Sequence, residues 1–313
     1  MSRGRVLLTG ATGFIGSHLA EALLAAGYAV VGLRRHSSNP WRLSAVSGRM
    51  EWVDSDAPDW EAQLRACRPD TLVHAAWLGV SADQRDDWPS QLTNLDFTLR
   101  LLEVLADGPL RQVVALGSQA EYGTFEGRVA EDHALRPATA YGAVKLATMQ
   151  VVRTFCESRS LSWQWLRIFA AFGPREDRHW FVSHVITSLL AAEKPLEMTP
   201  GEQRYDYSYV RDLARAVCQA LGAEPALSGV YNLAANAATS LREIVAAAQA
   251  LTESPAEVRF GAVPYRAGQV MHMEGNSNRF EHVFGPVNRT PLRQALAETI
   301  AYWRAEQTRS SAV

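Results

Sequence analysis

Short apolar runs and helix-spaced apolar positions alternate through the first half of the chain. Residues 5–9 (RVLLT) form an apolar run of buried-strand length. Residues 17–26 follow with helical spacing, and Gly27 stands at the expected stop. Further strands are predicted over residues 28–33, 50–53, 71–75, 112–116 and 163–168, with helices over 92–105 and 140–159. Strands that are apolar throughout, separated by helices, predict a parallel sheet covered on both faces. The second half is less regular. It has turn-rich points at Gly173-Pro174, Pro200-Gly201 and Gly285-Pro286, and helices predicted near 181–193, 209–222, 240–252 and 291–306. The pattern predicts a dinucleotide-binding domain over residues 1–168, with segments near 205–235 returning to it, and a mainly substrate-binding domain over 169–313.

Composition narrows the classes. At about 150 residues per domain, 313 residues suffice for two. A hydrophobic share of 47% excludes a disordered chain. The 31 Lys+Arg against 33 Asp+Glu argue against nucleic acid or an anionic membrane as partner. Cys67, Cys156 and Cys218 lie far apart and read as reduced thiols. No segment reaches the ~18 apolar residues of a membrane span, and none resembles a secretory leader, so the chain is expected in the cytoplasm. Residues 309–313 look like a loose tail. No His, Cys or acid cluster has metal-ligand spacing.

Between the first strand and the first helix lies Thr9-Gly10-Ala11-Thr12-Gly13-Phe14-Ile15-Gly16. Glycines permit a tight turn and bring backbone N–H groups to a pyrophosphate, and the helix N-terminus adds partial positive charge. An acid at the end of the second strand would bond a ribose 2′-hydroxyl, but this strand ends in Arg34-Arg35. Two guanidinium groups suit a 2′-phosphate, so NADP(H) is the expected cofactor; a solvated basic turn is the alternative. Asp56 and Ala57 are placed to bracket an adenine, or form an exposed loop.

Tyr141 and Lys145 stand four residues apart, on one face of a predicted helix. An ammonium near a phenol favours the phenolate and lowers a pKa of about 10. Ser118 ends the strand before, at the sheet edge where open parallel sheets bind ligands. His74 follows an apolar run and reads as a core histidine.

With these residues in place the chain resembles the extended short-chain dehydrogenase/reductase family of nucleotide-sugar epimerases, dehydratases and 4-ketoreductases. The likeness is carried by residues 9–16, Ser118-Gln-Ala-Glu-Tyr-Gly123, Tyr141 to Lys145, Asp70 to Ala76, Asn94, Asp206 to Asp212 and Arg266-Ala-Gly-Gln269. It implies a Rossmann-type doubly wound α/β fold with a smaller C-terminal α/β substrate domain. It also implies that Tyr141 is the acid/base, that Lys145 binds the nicotinamide ribose, and that Ser118 bonds the substrate oxygen. Ala75 and Ala76 would line the cofactor site, and Arg266 would hold a substrate pyrophosphate.

Departures from the family pattern divide its activities. Dehydratases carry Asp-Glu directly after the Ser/Thr, and this chain has Gln119-Ala120. Arg34-Arg35 favours an enzyme that consumes reduced cofactor at every turnover. The expected activity is therefore NADPH-dependent reduction of a nucleotide-activated 4-keto-6-deoxy sugar. An epimerase with retained cofactor is the first alternative, followed by a non-sugar carbonyl reductase and a non-catalytic NADP-binding protein. Substrate candidates are Trp77, Ser118, Gln119, Trp180, Arg204 and Arg266, with Tyr122 and Phe181 as further aromatic candidates; core packing is the default reading of each aromatic, and a surface arginine the alternative for Arg204. Ala170 replaces the family's substrate-contacting asparagine. The resemblance also implies a homodimer through the two helices near 92–105 and 140–159; the apolar positions Val144, Met149 and Val152 allow it, burial against the chain's own domain being the alternative.

Overall fold

The computed structural model describes residues 3–311. The first half runs β1 (Arg5–Thr9), α1 (Phe14–Ala25), β2 (Ala29–Arg34), β3 (Glu51–Asp54), α2 (Trp60–Cys67), β4 (Thr71–His74), α3 (Trp88–Ala106), β5 (Gln112–Ser118), β6 (Gly127–Val129), α4 (Ala140–Glu157) and β7 (Ser162–Ile168). The second half runs β8 (Ala170–Phe172), α5 (Phe181–Ala191), β9 (Leu196–Met198), β10 (Arg204–Tyr209), α6 (Val210–Gln219), β11 (Gly229–Leu233), β12 (Ala238–Ser240), α7 (Leu241–Thr252), β13 (Val258–Phe260), β14 (His272–Gly275), α8 (Asn278–Phe284) and α9 (Leu292–Ser311).

Seven strands form one sheet in the order β11-β7-β5-β4-β1-β2-β3, every neighbouring pair parallel. Both faces are apolar because both are covered. Val114 and Leu116 of β5 join Leu19, Leu23, Leu213 and Val217 beneath α1 and α6. Val113 and Ala115 join Leu101, Leu105, Met149 and Val152 beneath α3 and α4. The chain runs from β1 through β2 to β3, then returns to place β4 on the other side of β1. That reversal opens a crevice at the strand C-termini between β1 and β4.

Sequence and structure part at several elements. Helix α1 begins at Phe14, because the glycine turn itself supplies its N-cap at Gly13. Helix α3 begins four residues before the predicted start, with Pro89 in its first turn and the Asp87 side chain accepting the Ser90 N–H. Helix α2 is unpredicted; it buries Trp60, Leu64 and Cys67 and leaves a charged outer face. The second half, joined by β6 from the first, holds short strands that periodicity does not show: β12-β10-β14-β6 with β8 beside β10, and a separate β9-β13 pair. At three residues, most of these are too short to display an alternation. A separate apolar core gathers α5, α7 and α9 through Val185, Ile186, Ile244, Leu296 and Trp303. The predicted tail is in part helical, since α9 continues to Ser311; residues 312 and 313 lie outside the described residues. No helix among the described residues is long and apolar enough to cross a membrane.

Candidate active site

The glycine turn is built by close approach. Gly10 adopts φ +70°, and a Cβ there would stand 2.7 Å from the Ala76 nitrogen. A Cβ on Gly16 would stand 1.9 Å from the Gly10 carbonyl oxygen. The Gly13 N–H donates to that same oxygen (3.0 Å). No side chain caps α1 at Gly13, so the first-turn N–H groups of Phe14, Ile15 and Gly16 are left for an anion. Thr12 is half-buried beside them. A cradle this tight, ending in an uncapped helix, fits a dinucleotide pyrophosphate.

Thr9 fastens the turn to the end of β4. Its hydroxyl accepts the N–H groups of Ala75 (3.2 Å) and Ala76 (3.1 Å) and pairs with His74 Nδ1 (2.8 Å). His74 Nε2 meets the Thr98 hydroxyl at 3.0 Å. Burial, aided by the Lys145 charge, pulls the His74 pKa down to about 3, so the ring is a neutral tie, as its place in the apolar strand predicts.

The basic pair after β2 is unequal. Arg34 Nε lies 3.3 Å from Asp54 Oδ1, and its guanidinium stacks 4.6 Å from the Trp52 ring centroid. Gly32 makes room, because a Cβ there would meet that indole at 2.5 Å. Arg35 is exposed. Asp56 is exposed and accepts the His36 N–H (2.9 Å), and Ala57 is half-buried behind it. Sequence reasoning missed Asp54 as the partner of Arg34; adjacent strand ends give no linear signal.

Ser118, Tyr141 and Lys145 come together at the C-terminal end of β5. Thr139 caps α4 through its side chain, which accepts the Gly142 N–H, and the helix then presents Tyr141 and Lys145 on its buried face. Burial pushes the Tyr141 phenol above its ordinary pKa, while the adjacent Ser118 hydroxyl and the Arg85 charge pull it down. Lys145 Nζ donates to the Leu116 carbonyl (2.7 Å) and lies 3.6 Å from the Trp77 ring centroid. Burial lowers its pKa, and the Glu121 carboxylate opposes that shift. The ammonium is 6.0 Å from the Tyr141 ring centroid, so the two share the buried face of α4.

Glu121 was not among the predicted site residues. It is fully buried, accepts the Ser118 N–H (2.8 Å) and the Trp165 indole N–H (2.8 Å), and pairs with Arg167 (2.7 Å). With Ser118 it forms a capping box. The Ser-x-x-Glu spacing was the available signal.

The substrate candidates divide. Trp77 packs edge-on to Tyr141 with ring centroids 6.1 Å apart and donates its indole N–H to Gln91 (2.9 Å). Gln119 is half-buried beside Ser118. Trp180 is half-buried just before α5 and lies against His179. Phe181 packs on Tyr207. Tyr122 follows the core-packing default: it is 1% exposed, and its hydroxyl donates to Asn232 (2.7 Å) and accepts from Arg167 (3.0 Å). Arg204 is exposed and donates to the Ala238 carbonyl (2.7 Å), near Glu243. Arg266 is exposed in the turn before β14, where its charge acts on Tyr205. Of the two readings of Val144, Met149 and Val152, burial against the chain's own domain holds. All three are buried, Met149 and Val152 in the core under α4, and the exposed apolar positions lie on α3 instead, at Trp88, Leu92 and Leu99.

A doubly wound sheet, a glycine turn at its switch point and a buried Ser-Tyr-Lys group beside it define a class of nicotinamide-dinucleotide oxidoreductases. Residues 6–234 match the model of the NAD dependent epimerase/dehydratase family, and the chain belongs to that family. It is 31% identical over 313 residues to a UDP-glucose 4-epimerase of Mycolicibacterium smegmatis, covering 96% of this chain and 98% of that one. It is 26% identical over 247 residues to the dTDP-6-deoxy-L-talose 4-dehydrogenase (NAD(+)) of Aggregatibacter actinomycetemcomitans, covering 77% of this chain and 87% of that one. Among solved structures it superposes on MoeE5 in complex with UDP-glucose and NAD at a TM-score of 0.83 and 29% identity, covering 97% of this chain and 100% of the other. The protein is thus an enzyme of the nucleotide-sugar epimerase/dehydratase family that uses a nicotinamide cofactor.

Proposed function

We propose that the protein is a 4-epimerase of a nucleoside-diphosphate hexose that retains its nicotinamide cofactor. The observation that carries this reading is the meeting of Ser118, Tyr141 and Lys145 at the end of β5, beside the crevice between β1 and β4. The similarity to a UDP-glucose 4-epimerase along nearly the whole chain supports it, and this replaces the reductase as the leading reading. Gln119 and Ala120 stand where dehydratases need acids, so elimination has no base here.

In this reading Tyr141 takes the proton of the sugar 4-hydroxyl, and Ser118 hydrogen-bonds that oxygen while its charge develops. The nicotinamide, when bound, supplies reversible hydride acceptance from the sugar carbon. Once the ring has turned its other face, Tyr141 returns the proton to the same oxygen. Lys145 binds the nicotinamide ribose. Gly10, Thr12, Gly13, Phe14, Ile15 and Gly16 hold the pyrophosphate, Asp56 and Ala57 bracket the adenine, and Ala75 and Ala76 line the strand end. Trp77, Gln119 and Trp180 border the sugar, with Arg204 and Arg266 toward the diphosphate. Residues 1–168, with segments near 205–235 returning to them, form the cofactor half, and 169–313 mainly the substrate half. The enzyme works in the cytoplasm as a homodimer, for which the exposed Leu92 and Leu99 on α3 offer an apolar stripe.

One observation favours a second reading, the NADPH-dependent reduction of a 4-keto-6-deoxy nucleotide sugar. Strand β2 ends at Arg34 and is followed by Arg35, so the position itself carries no acid to repel a 2′-phosphate, although Asp54 of β3 lies beside Arg34. One experiment separates the two. The purified enzyme is given UDP-glucose and related nucleotide hexoses without added cofactor, and separately 4-keto-6-deoxy nucleotide sugars with NADPH or NADH. Interconversion at carbon 4 without net cofactor consumption supports the epimerase. Stoichiometric NADPH oxidation supports the reductase. Neither activity across the panel refutes both.

A further inference from the structure

Residues 76–87, between β4 and α3, are fastened at both ends to the elements that carry the site. Asn94 holds Leu78 through both ends of its amide (2.7 and 3.2 Å), and Gln91 donates to the carbonyls of Gly79 (2.8 Å) and Gln84 (3.2 Å). At the far end the Arg85 carbonyl accepts the Tyr141 N–H (2.8 Å), and the Asp86 carboxylate accepts the Ala140 N–H (3.1 Å). These two anchors, one main-chain and one through the Asp86 side chain, carry the Arg85 side chain across the Tyr141 ring, its guanidinium carbon 5.3 Å from the centroid. Arg85 Nε donates to the Val80 carbonyl (3.0 Å), which aims the fork. Among the described residues no carboxylate forms an ion pair with it.

We propose that Arg85 is a positioning residue for proton transfer, a second cation that acts through Tyr141 by favouring its phenolate. This rests on the reading of Tyr141 as the acid/base. A cation over an aromatic face is attracted by the ring quadrupole, and the attraction grows once the ring carries a full negative charge. The other groups around Tyr141 leave this task open. Lys145, on the same helix, is held by the Leu116 carbonyl and the Trp77 face. Glu121, in the turn after β5, opposes ionisation; the Asp86 carboxylate is occupied by the helix N–H; Ser118 supplies a neutral hydroxyl. Burial works against the phenolate, and the Ser118 hydrogen bond and then the Arg85 guanidinium on the ring face work for it.

The test compares the cofactor-loaded enzyme with its Arg85→Gln, Arg85→Lys and Tyr141→Phe variants. Two readouts are taken: the pH profile of kcat/KM, and the ultraviolet phenolate titration. The Tyr141 signal is the difference between matched proteins with and without Tyr141→Phe. Arg85→Gln is expected to move the phenol titration up by about one unit and to lower kcat/KM about tenfold below that limb, with KM nearly unchanged. Arg85→Lys should recover part of both. The main-chain bond to Tyr141 does not need the side chain, and an unchanged thermal midpoint confirms that the loop is intact. A titration and profile that coincide with those of the unaltered enzyme overturn the proposal. If Tyr141→Phe remains active, the acid/base reading fails, and the phenolate titration still decides whether Arg85 acts on the phenol.

Discussion

Replacing Glu176 with glutamine isolates one buried ionisation that sets how stability varies with pH. Glu176 lies between β8 and α5, 4% exposed, and accepts the Ser183 hydroxyl at 2.6 Å. Burial pushes its carboxyl from 4.5 up to about 8, with Asp177 adding to the rise and the Ser183 bonds opposing it. A folded-state pKa above the unfolded value means that the stabilisation is complete below the unfolded pKa and is lost as pH rises through the folded one. Between those values the native state keeps a proton that the unfolded chain releases, at about 1.4 kcal/mol per pH unit. Over the interval from 4.5 to about 8 the loss reaches about 5 kcal/mol at most. His18 and His74, both lowered to about 3 chiefly by burial, act in the other direction, losing stability as pH falls below their unfolded value of 6.5. They are common to both proteins and cancel in the comparison. Urea unfolding of the unaltered enzyme and Glu176→Gln, at steps from about pH 5 to about pH 9, should show the variant gaining on the parent up to about pH 8 and level beyond it. A difference that stays flat across that range would refute a protonated Glu176 at neutral pH.

Tyr141→Phe should lower turnover by about 10²–10⁴ while cofactor binding, followed by fluorescence, stays close to the parent's; near-parent turnover would remove Tyr141 from the chemistry. Asp54→Asn should release Arg34 and improve NADP(H) binding relative to NAD(H) about tenfold, as one uncompensated charge beside a 2′-phosphate would. An unchanged ratio of dissociation constants would mean that Asp54 does not restrain that arginine. Leu92→Asp with Leu99→Asp, at positions 49% and 40% exposed, should turn a dimer into a monomer in sedimentation without loss of helix content; a dimer that persists places the interface elsewhere.

What the sequence by itself determined was local or periodic. Six of the seven strands of the large sheet stand out as short apolar runs, β11 being the one not predicted; the glycine turn follows the first of them, and Tyr141 and Lys145 repeat at helical spacing, so each of these features could be read within a single segment. The tertiary structure decided what depends on neighbours far apart in the chain. Arg34 meets Asp54 only because β2 and β3 pair in register, which divides the basic pair into one restrained and one exposed charge. Arg85 reaches Tyr141 because residues 76–87 fold back over the start of α4, and no motif marks such a loop. Met149 and Val152 show the limit most plainly. Helical spacing marks them as apolar, but only the packing of α4 against α3 and the sheet tells core from interface, because periodicity fixes a face and not what covers it.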